Sequence, residues 1–188
     1  MHKDLTQDRR ILCLWLPNWP IQRLVVAQLE LKRQFVVLFR QDSRKGRLVA
    51  AASPLAHQAG VQLSMPLSEA KTLLGQHTKR LGTHFHILQH DPTSDLFALE
   101  ALADQLDEFS PMVGLQQDSD FPDCLFLDIT GLGKLFGSET KLHQSVQDFC
   151  QNLGYLVRIA IAPTIGHAQA LTQFPLEKQA DVPTQPVE

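Results

Sequence analysis

Short apolar runs alternate with polar stretches along this chain, and their spacing predicts a series of strands and helices. Residues 11–15, Ile-Leu-Cys-Leu-Trp, are an unbroken apolar run stopped by Pro17 and Pro20, the signature of a short buried strand. Ile21, Leu24, Val25, Gln28 and Leu29 then recur at helical spacing, with Asn18 placed to cap that helix and Pro20 tolerated in its first turn. Residues 36–39 and 47–52 read as two strands, and the polar turn over 42–46 joins them into a hairpin.

From residue 53 to residue 74 the pattern changes to short helices. One over 54–59 ends at Gly60 and one over 68–74 at Gly75, since glycine takes the left-handed backbone that closes a helix. Residues 83–88 alternate as a strand does. Asp91 or Thr93 caps a strongly amphipathic helix carrying Leu96, Leu99, Leu102, Ala103, Leu106 and Phe109. Strands follow over 112–116 and 124–129. A helix bearing Leu142, Val146, Phe149, Cys150 and Leu153 is closed by Gly154. The last strand covers 155–161, and a final helix runs from about 164 to 174, before Pro175. Residues 177–188, with two prolines and little apolar content, read as a frayed linker or a truncation point. Helices alternate with strands, but the hairpins argue against a purely parallel sheet. The predicted class is α+β: a mixed or antiparallel sheet covered by helices, ferredoxin-like, with a small helical insertion.

Composition narrows the function classes. A chain of 188 residues, 44% hydrophobic and 20% charged, can bury a sizeable core and is not of disordered type. The apolar run at 155–163 is too short to span a bilayer, and the polar start, residues 1–10, lacks the apolar stretch of a secretory signal. Cys13, Cys124 and Cys150 are odd in number and unpaired in spacing, which points to reduced thiols and a cytoplasmic location. The net charge of −3 is not that of a domain that grips nucleic acid unaided. The one dense basic cluster, Arg40, Arg44, Lys45 and Arg47 around Gly46, reads either as a solvated hairpin tip or as a phosphate-contacting edge.

Three groups of residues offer chemistry. His84, His86 and His90 contain two imidazoles on one strand face, but no further ligand completes a metal set, so an exposed strand face is the simpler reading. Gly131, Gly133, Lys134 and Gly137 lie between strand and helix as a phosphate loop would. They lack the P-loop and dinucleotide spacings, and Leu132, Leu135 and Phe136 read as packing residues of a turn. Asp118, Asp120, Asp123 and Asp128 cluster around a strand, as the carboxylates that hold two divalent metals do. Loop acids that satisfy backbone donors are the plainer alternative.

Five strings, in order along the chain, carry a resemblance. They are residues 11–20 (ILCLWLPNWP), 49–61 running into 65–70, 110–115 (SPMVGL), 125–131 (LFLDITG) and 159–162 (IAIA). Together they resemble the Y-family (DinB/UmuC-type) translesion DNA polymerases, and within these the ImuB-like branch, whose active site is degenerate. The resemblance covers about residues 10 to 175. It implies a polymerase palm over 11–53 and 76–175, a fingers insertion over 54–75, a disordered extension over 1–10 and a linker or truncated tail over 176–188.

Carried over residue by residue, the resemblance implies lost chemistry. The metal-binding Asp of the first strand falls on Trp15 and a second metal-related position on Leu16; the Asp-Glu pair of the central strand falls on Asp123 and Cys124. The Tyr and Arg that hold the triphosphate fall on Pro54 and His57, and no lysine stands at 163–165. No cofactor is implied; Mg²⁺ would be needed only if Asp123, Asp128 and a third acid formed an active low-fidelity nucleotidyltransferase. Asp123 is at most a remnant metal ligand. The implied role is a cytoplasmic, non-catalytic adaptor in DNA repair, translesion synthesis and SOS mutagenesis. Its partners would be an error-prone polymerase, the sliding clamp and a companion cassette protein. Damaged DNA would be gripped by thumb and little-finger domains beyond residue 188.

Overall fold

The apolar run at the start of the chain becomes the middle of a sheet. In the computed structural model, which describes residues 9–116 and 119–174, strand β1 (Ile11–Trp15) lies between two neighbours and is covered on both faces. The expected extension and tail therefore lie largely outside the described residues, as does Asp118. Arg10 is firmly placed: its N–H donates to Thr130 Oγ1 at 3.0 Å and its guanidinium forms a two-pronged pair with Glu139.

β1 pairs antiparallel with β6 (Cys124–Asp128) and β7 (Arg158–Ala162), and β5 (Val113–Leu115) pairs antiparallel with β6. The order β5-β6-β1-β7, with helix α4 (Pro92–Leu106) after β1 and α5 (Glu139–Asn152) between β6 and β7, is the ferredoxin-like βαββαβ arrangement. Side chains alternate across the sheet. Leu12, Leu14, Leu125 and Leu127 point to one face, where they meet Leu99, Leu102 and Leu106 of α4 and Leu142, Val146 and Cys150 of α5. Ile11, Cys13, Cys124 and Phe126 point to the other, against Ala168 of α6 (Ile165–Gln173). Burial on both faces explains why β1 shows no polar alternation.

Residues 16–91 leave the end of β1 and return to α4 after building a second sheet. They comprise α1 (Trp19–Ala27), β2 (Phe35–Asp42), β3 (Gly46–Ala52), α2 (Pro54–Gln58), α3 (Leu67–Leu81) and β4 (Phe85–Gln89). β2 pairs antiparallel with β3, as the hairpin pattern predicts, and parallel with β4. Val37, Val49 and Ala52 face α2 and α3, while Val36, Leu38 and Ala51 face Ile21 and Leu24 of α1.

Several local expectations are corrected. α3 does not stop at Gly75 but runs to Leu81 and ends at Gly82, whose φ of +64° is the left-handed cap. Leu67, Ala70, Leu74 and Thr78 form one buried face across Gly75, and that packing outweighs the cost of about 1 kcal/mol for a glycine within a helix. Asn18 does not cap α1 with its side chain. It sits in the left-handed region, and its amide donates to the Ala52 carbonyl at 2.9 Å, tying the chain to the second sheet. α1 ends at Ala27, so Leu29 falls in a 3-10 turn and is 71% exposed. Asp91, not Thr93, caps α4, accepting from the Ser94 N–H at 3.1 Å. Leu135 is exposed, while Leu132 and Phe136 pack on the core as expected.

Candidate functional site

Where β1 ends and β6 begins, four side chains share one small space. Trp15 is paired in register with Cys124, and Asp123 immediately precedes it. The Trp15 indole N–H donates to Asp123 Oδ2 at 2.7 Å, and the Cys124 thiol donates to Oδ1 at 3.4 Å. The Asp123 carbonyl accepts from the Leu16 N–H at 2.8 Å, which fixes the loop to the end of β1. The Arg158 guanidinium lies over the Trp15 ring, 5.2 Å from its centroid. Leu16 is wholly buried and packs in the main core.

Beneath this group lie two thiols. Cys13 is two residues before Trp15 on the same sheet face, with Sγ 3.7 Å from Thr172 Oγ1. The neighbouring Cys13 thiol, then burial, then the charge of Asp123 push the Cys124 thiol far up. Cys124 therefore stays protonated at neutral pH and serves as a donor to Asp123, not as a thiolate.

The other acids are elsewhere. Asp128 is at the opposite end of β6, about 16 Å from Asp123 along the strand at 3.2–3.4 Å per residue. It accepts from the Thr130 N–H at 3.0 Å and pairs with Arg9 at 3.5 Å. Partial burial would raise its pKa, but the Thr130 donors and Arg9 together hold it below the usual carboxylate value. Asp120 lines the same cleft as Asp123, and Asp118 is outside the described residues. Among the described residues, Asp128 is therefore apart from Asp120 and Asp123, which share the cleft.

The histidines do not form a site. β4 begins at Phe85, so exposed His84 precedes it and half-buried His86 lies on it, whereas His90 is buried and its Nε2 lies 2.7 Å from Asp95 Oδ2. Asp95 also accepts from Arg23 Nε at 2.5 Å, and its backbone carbonyl accepts from the Trp19 indole at 2.9 Å. Sequence reasoning missed this buried network. Its only local sign was an acid in the first turn of a helix, which usually serves the helix end alone. In α2, Pro54 occupies the first turn, and His57 Nδ1 lies 2.9 Å from the Val61 carbonyl, closing the next turn. At 163–165, Thr164 caps α6 by accepting from the His167 N–H.

A cleft of about 370 Å³ opens between the two sheets, lined by Asn18, Arg40, Ser64, Asp120, Phe121 and Asp123 among others. The Mg²⁺ pair that the resemblance associates with such a cleft does not fit these donors. Both oxygens of Asp123 already accept hydrogen bonds, and the residue across from it is an indole. Among the described residues, no three His, Cys, Asp or Glu side chains converge as a metal ion requires. Nor is any described helix long and apolar enough to cross a membrane.

The pair of Arg10 and Glu139 carries a pH dependence. The Arg10 hydrogen bonds lower the Glu139 pKa against a smaller opposing effect of burial. A carboxylate whose folded pKa is depressed stabilises the fold above its unfolded pKa, and that contribution disappears as pH falls through the folded value. The melting temperature of Glu139→Gln is expected to lie below that of the parent at about pH 6 and to converge with it by about pH 3. Thermal melts across that range check this; a constant gap would rule it out.

The fold as a whole, an antiparallel βαββαβ sheet joined to a second, smaller α/β unit, matches the palm and fingers region of Y-family DNA polymerases. It superposes on the insertion ternary complex of Dbh DNA polymerase with a TM-score of 0.66 at 17% identity, over 87% of this chain and 45% of that one. For the DinB crystal structure from Sulfolobus solfataricus the TM-score is 0.63 at 16% identity, over the same shares of the two chains. The chain belongs to the impB/mucB/samB family, whose profile matches residues 15–173. It is 41% identical over 106 residues to Protein ImuB of Caulobacter vibrioides, and equally to the ImuB of a second strain. That alignment covers 52% of this chain and 22% of ImuB, so the match spans under a quarter of the length of those relatives.

Proposed function

We propose that this chain is a non-catalytic polymerase-like module that serves DNA repair, translesion synthesis and induced mutagenesis as an adaptor. The observation that carries this reading is the hydrogen bond from the Trp15 indole to Asp123. If Trp15 stands at the position of the family's first-strand metal-binding Asp, as the resemblance implies, this bond supports the reading, because a bulky indole would stand there in place of a carboxylate. On this reading Trp15, Leu16, Asp123 and Cys124 are degenerate active-site positions, and Pro54 and His57 are degenerate triphosphate positions. No lysine at 163–165 replaces them. Phosphoryl transfer depends on positioning and charge stabilisation, and both would be missing.

The partners under this reading are an error-prone polymerase, the sliding clamp and a companion cassette protein, in the cytoplasm. Damaged DNA would be held chiefly by further domains of a longer protein. No cofactor is needed. The rival, an active low-fidelity polymerase, would need Asp123 and Asp128 to cooperate from opposite ends of β6. Primer extension with Mg²⁺ or Mn²⁺, using the longest form of the protein, decides between them. The expected result is no extension above background; templated extension that is lost in Asp123→Ala would establish the rival.

A further inference from the structure

One edge of the larger sheet ends in open hydrogen-bonding groups. In the order β5-β6-β1-β7, β7 has β1 on one side and, among the described residues, no strand on the other. The Leu16 N–H donates to the Asp123 carbonyl and the Ile129 N–H to the Arg10 carbonyl, so the even-numbered residues along β1 turn their backbone groups toward β6. Ile11, Cys13 and Trp15 therefore bond β7, through Ala162, Ala160 and Arg158. The N–H and C=O groups of Ile159 and Ile161 are left pointing outward, with no partner among the described residues.

Proteins commonly guard a free sheet edge with charge, proline, a bulge or a covering segment. The opposite edge, β5, is guarded: it is three residues long and lies beside the carboxylates of Asp104 and Asp107. β7 is not. Its sequence, Arg-Ile-Ala-Ile-Ala, holds an unbroken register with β1 and contains neither carboxylate nor proline. Its one charge, Arg158, is turned onto the Trp15 ring. A groove of about 300 Å³ lies beside this edge, between His143 and Gln147 of α5 and Leu171 of α6, with Val157 and Ile159 along it. Those side chains are apolar or without a negative charge, so nothing in the groove repels an apolar strand.

We propose that β7 pairs antiparallel with β7 of a second copy of this chain, joining two four-stranded sheets into one across a two-fold axis. With Ala160 on the axis, Ile159 stands opposite Ile161 of the second copy, and each such pair exchanges both its N–H···O=C bonds. That register brings no like charges together, because Arg158 meets Ala162 of the second copy. It also sets branched side chains side by side, a favourable cross-strand pair. A second copy is favoured over a charged partner segment because the edge and its groove offer no carboxylate, and their one guanidinium is held by Trp15. The pairing consumes the open edge of both copies and leaves only the guarded β5 edges outside, so growth stops at two. This inference goes beyond the adaptor reading and does not rest on it.

Sedimentation velocity of the parent chain and its variants tests the pairing. The parent should pass reversibly from monomer to dimer as its concentration rises to about 100 μM, and salt should not weaken the dimer. Ile161→Pro removes one outward N–H from each copy but leaves the inward bonds of Ala160 and Ala162. It should raise the dissociation constant by at least about tenfold. Ile161→Val keeps the N–H and should associate like the parent. His143→Glu with Gln147→Glu leaves β7 unchanged and sets carboxylates against their symmetry mates, so it too should weaken the dimer by at least about tenfold, most at low salt. Ala101→Glu with Gln105→Glu, on the exposed side of α4, adds the same charge and should change nothing. Melting temperatures report that each variant is folded. A parent that stays monomeric at about 100 μM overturns the proposal, whether the edge is bare or reserved for a different protein. So does a dimer equally tight in the proline and α5 variants, a parent dimer dissolved by salt, or a mass that grows past the dimer through another edge. Primer extension is a separate readout, so this pairing and the adaptor reading stand or fall independently.

Discussion

Asp95→Ala is expected to cost about 3–5 kcal/mol of stability, measured by urea denaturation, because it removes one partner of a buried charged network. Asp95 opens α4 with its side chain almost fully buried. It holds Arg23 through one oxygen and His90 through the other, and its backbone anchors the Trp19 indole. The Arg23 and His90 side chains are only 18% and 4% exposed, so neither can turn to water when the carboxylate goes. An unpaired guanidinium and an unpaired imidazole would then remain in the interior. Asp95→Asn preserves hydrogen-bonding capacity but not charge, and should cost less. Arg23→Ala with Asp95→Ala should cost less than the sum of the single changes, since the double variant leaves no stranded cation. Because domain stabilities run to about 5–15 kcal/mol, the Asp95→Ala protein should be close to its folding limit. A loss below about 1 kcal/mol would show that the network contributes little.

The second large effect is at Trp15. Trp15→Asp is expected to lower stability by about 3 kcal/mol or more in the absence of divalent cations. The change removes a half-buried ring from beneath Arg158 and sets a second carboxylate against Asp123. Like charges at that range resist ionising together, and a hard divalent cation relieves them. The melting temperature of Trp15→Asp should therefore rise with Mn²⁺, by ligand linkage, while the parent's stays unchanged. Trp15→Phe isolates the lost N–H donor and should cost about 1.5–3 kcal/mol, the range for a hydrogen bond to a charged group. Stabilisation of the parent itself by Mn²⁺ would contradict the reading of the Trp15–Asp123 pair.

Much of the ferredoxin-like sheet was legible in the sequence because its strands advertise themselves locally. The run at residues 11–15, the run at 124–128 and the amphipathic α4 each carry their own pattern, and turn residues separate them. The candidate site was legible only as positions. Trp15 and Asp123 could be placed on strand ends, but their hydrogen bond depends on a register set by the whole sheet. What stayed hidden was set by tertiary contacts that the local pattern does not display. Asn18 reads as a helix cap, yet its side chain serves Ala52. Gly75 reads as a helix end, yet the buried face on either side of it carries the helix onward. His90 reads as one of three histidines, but a carboxylate and an arginine from two different helices define its environment.

The position of β1 in its sheet has a consequence for how the protein is made. Its hydrogen-bonding neighbours are β6 and β7, and the Trp15–Asp123 contact alone spans 108 residues of sequence. Loop-closure entropy delays pairings of this kind, so a topology dominated by them folds slowly. β1 is synthesised before both of the strands it pairs with. It lacks one of its two partners until synthesis has passed Ala162. The second sheet is built from neighbours no further apart than β2 and β4, so it can form on the nascent chain in the meantime. Biogenesis would then run from the insertion outward, and the unpaired β1 of an incomplete chain would be the natural target for a chaperone that holds extended apolar segments.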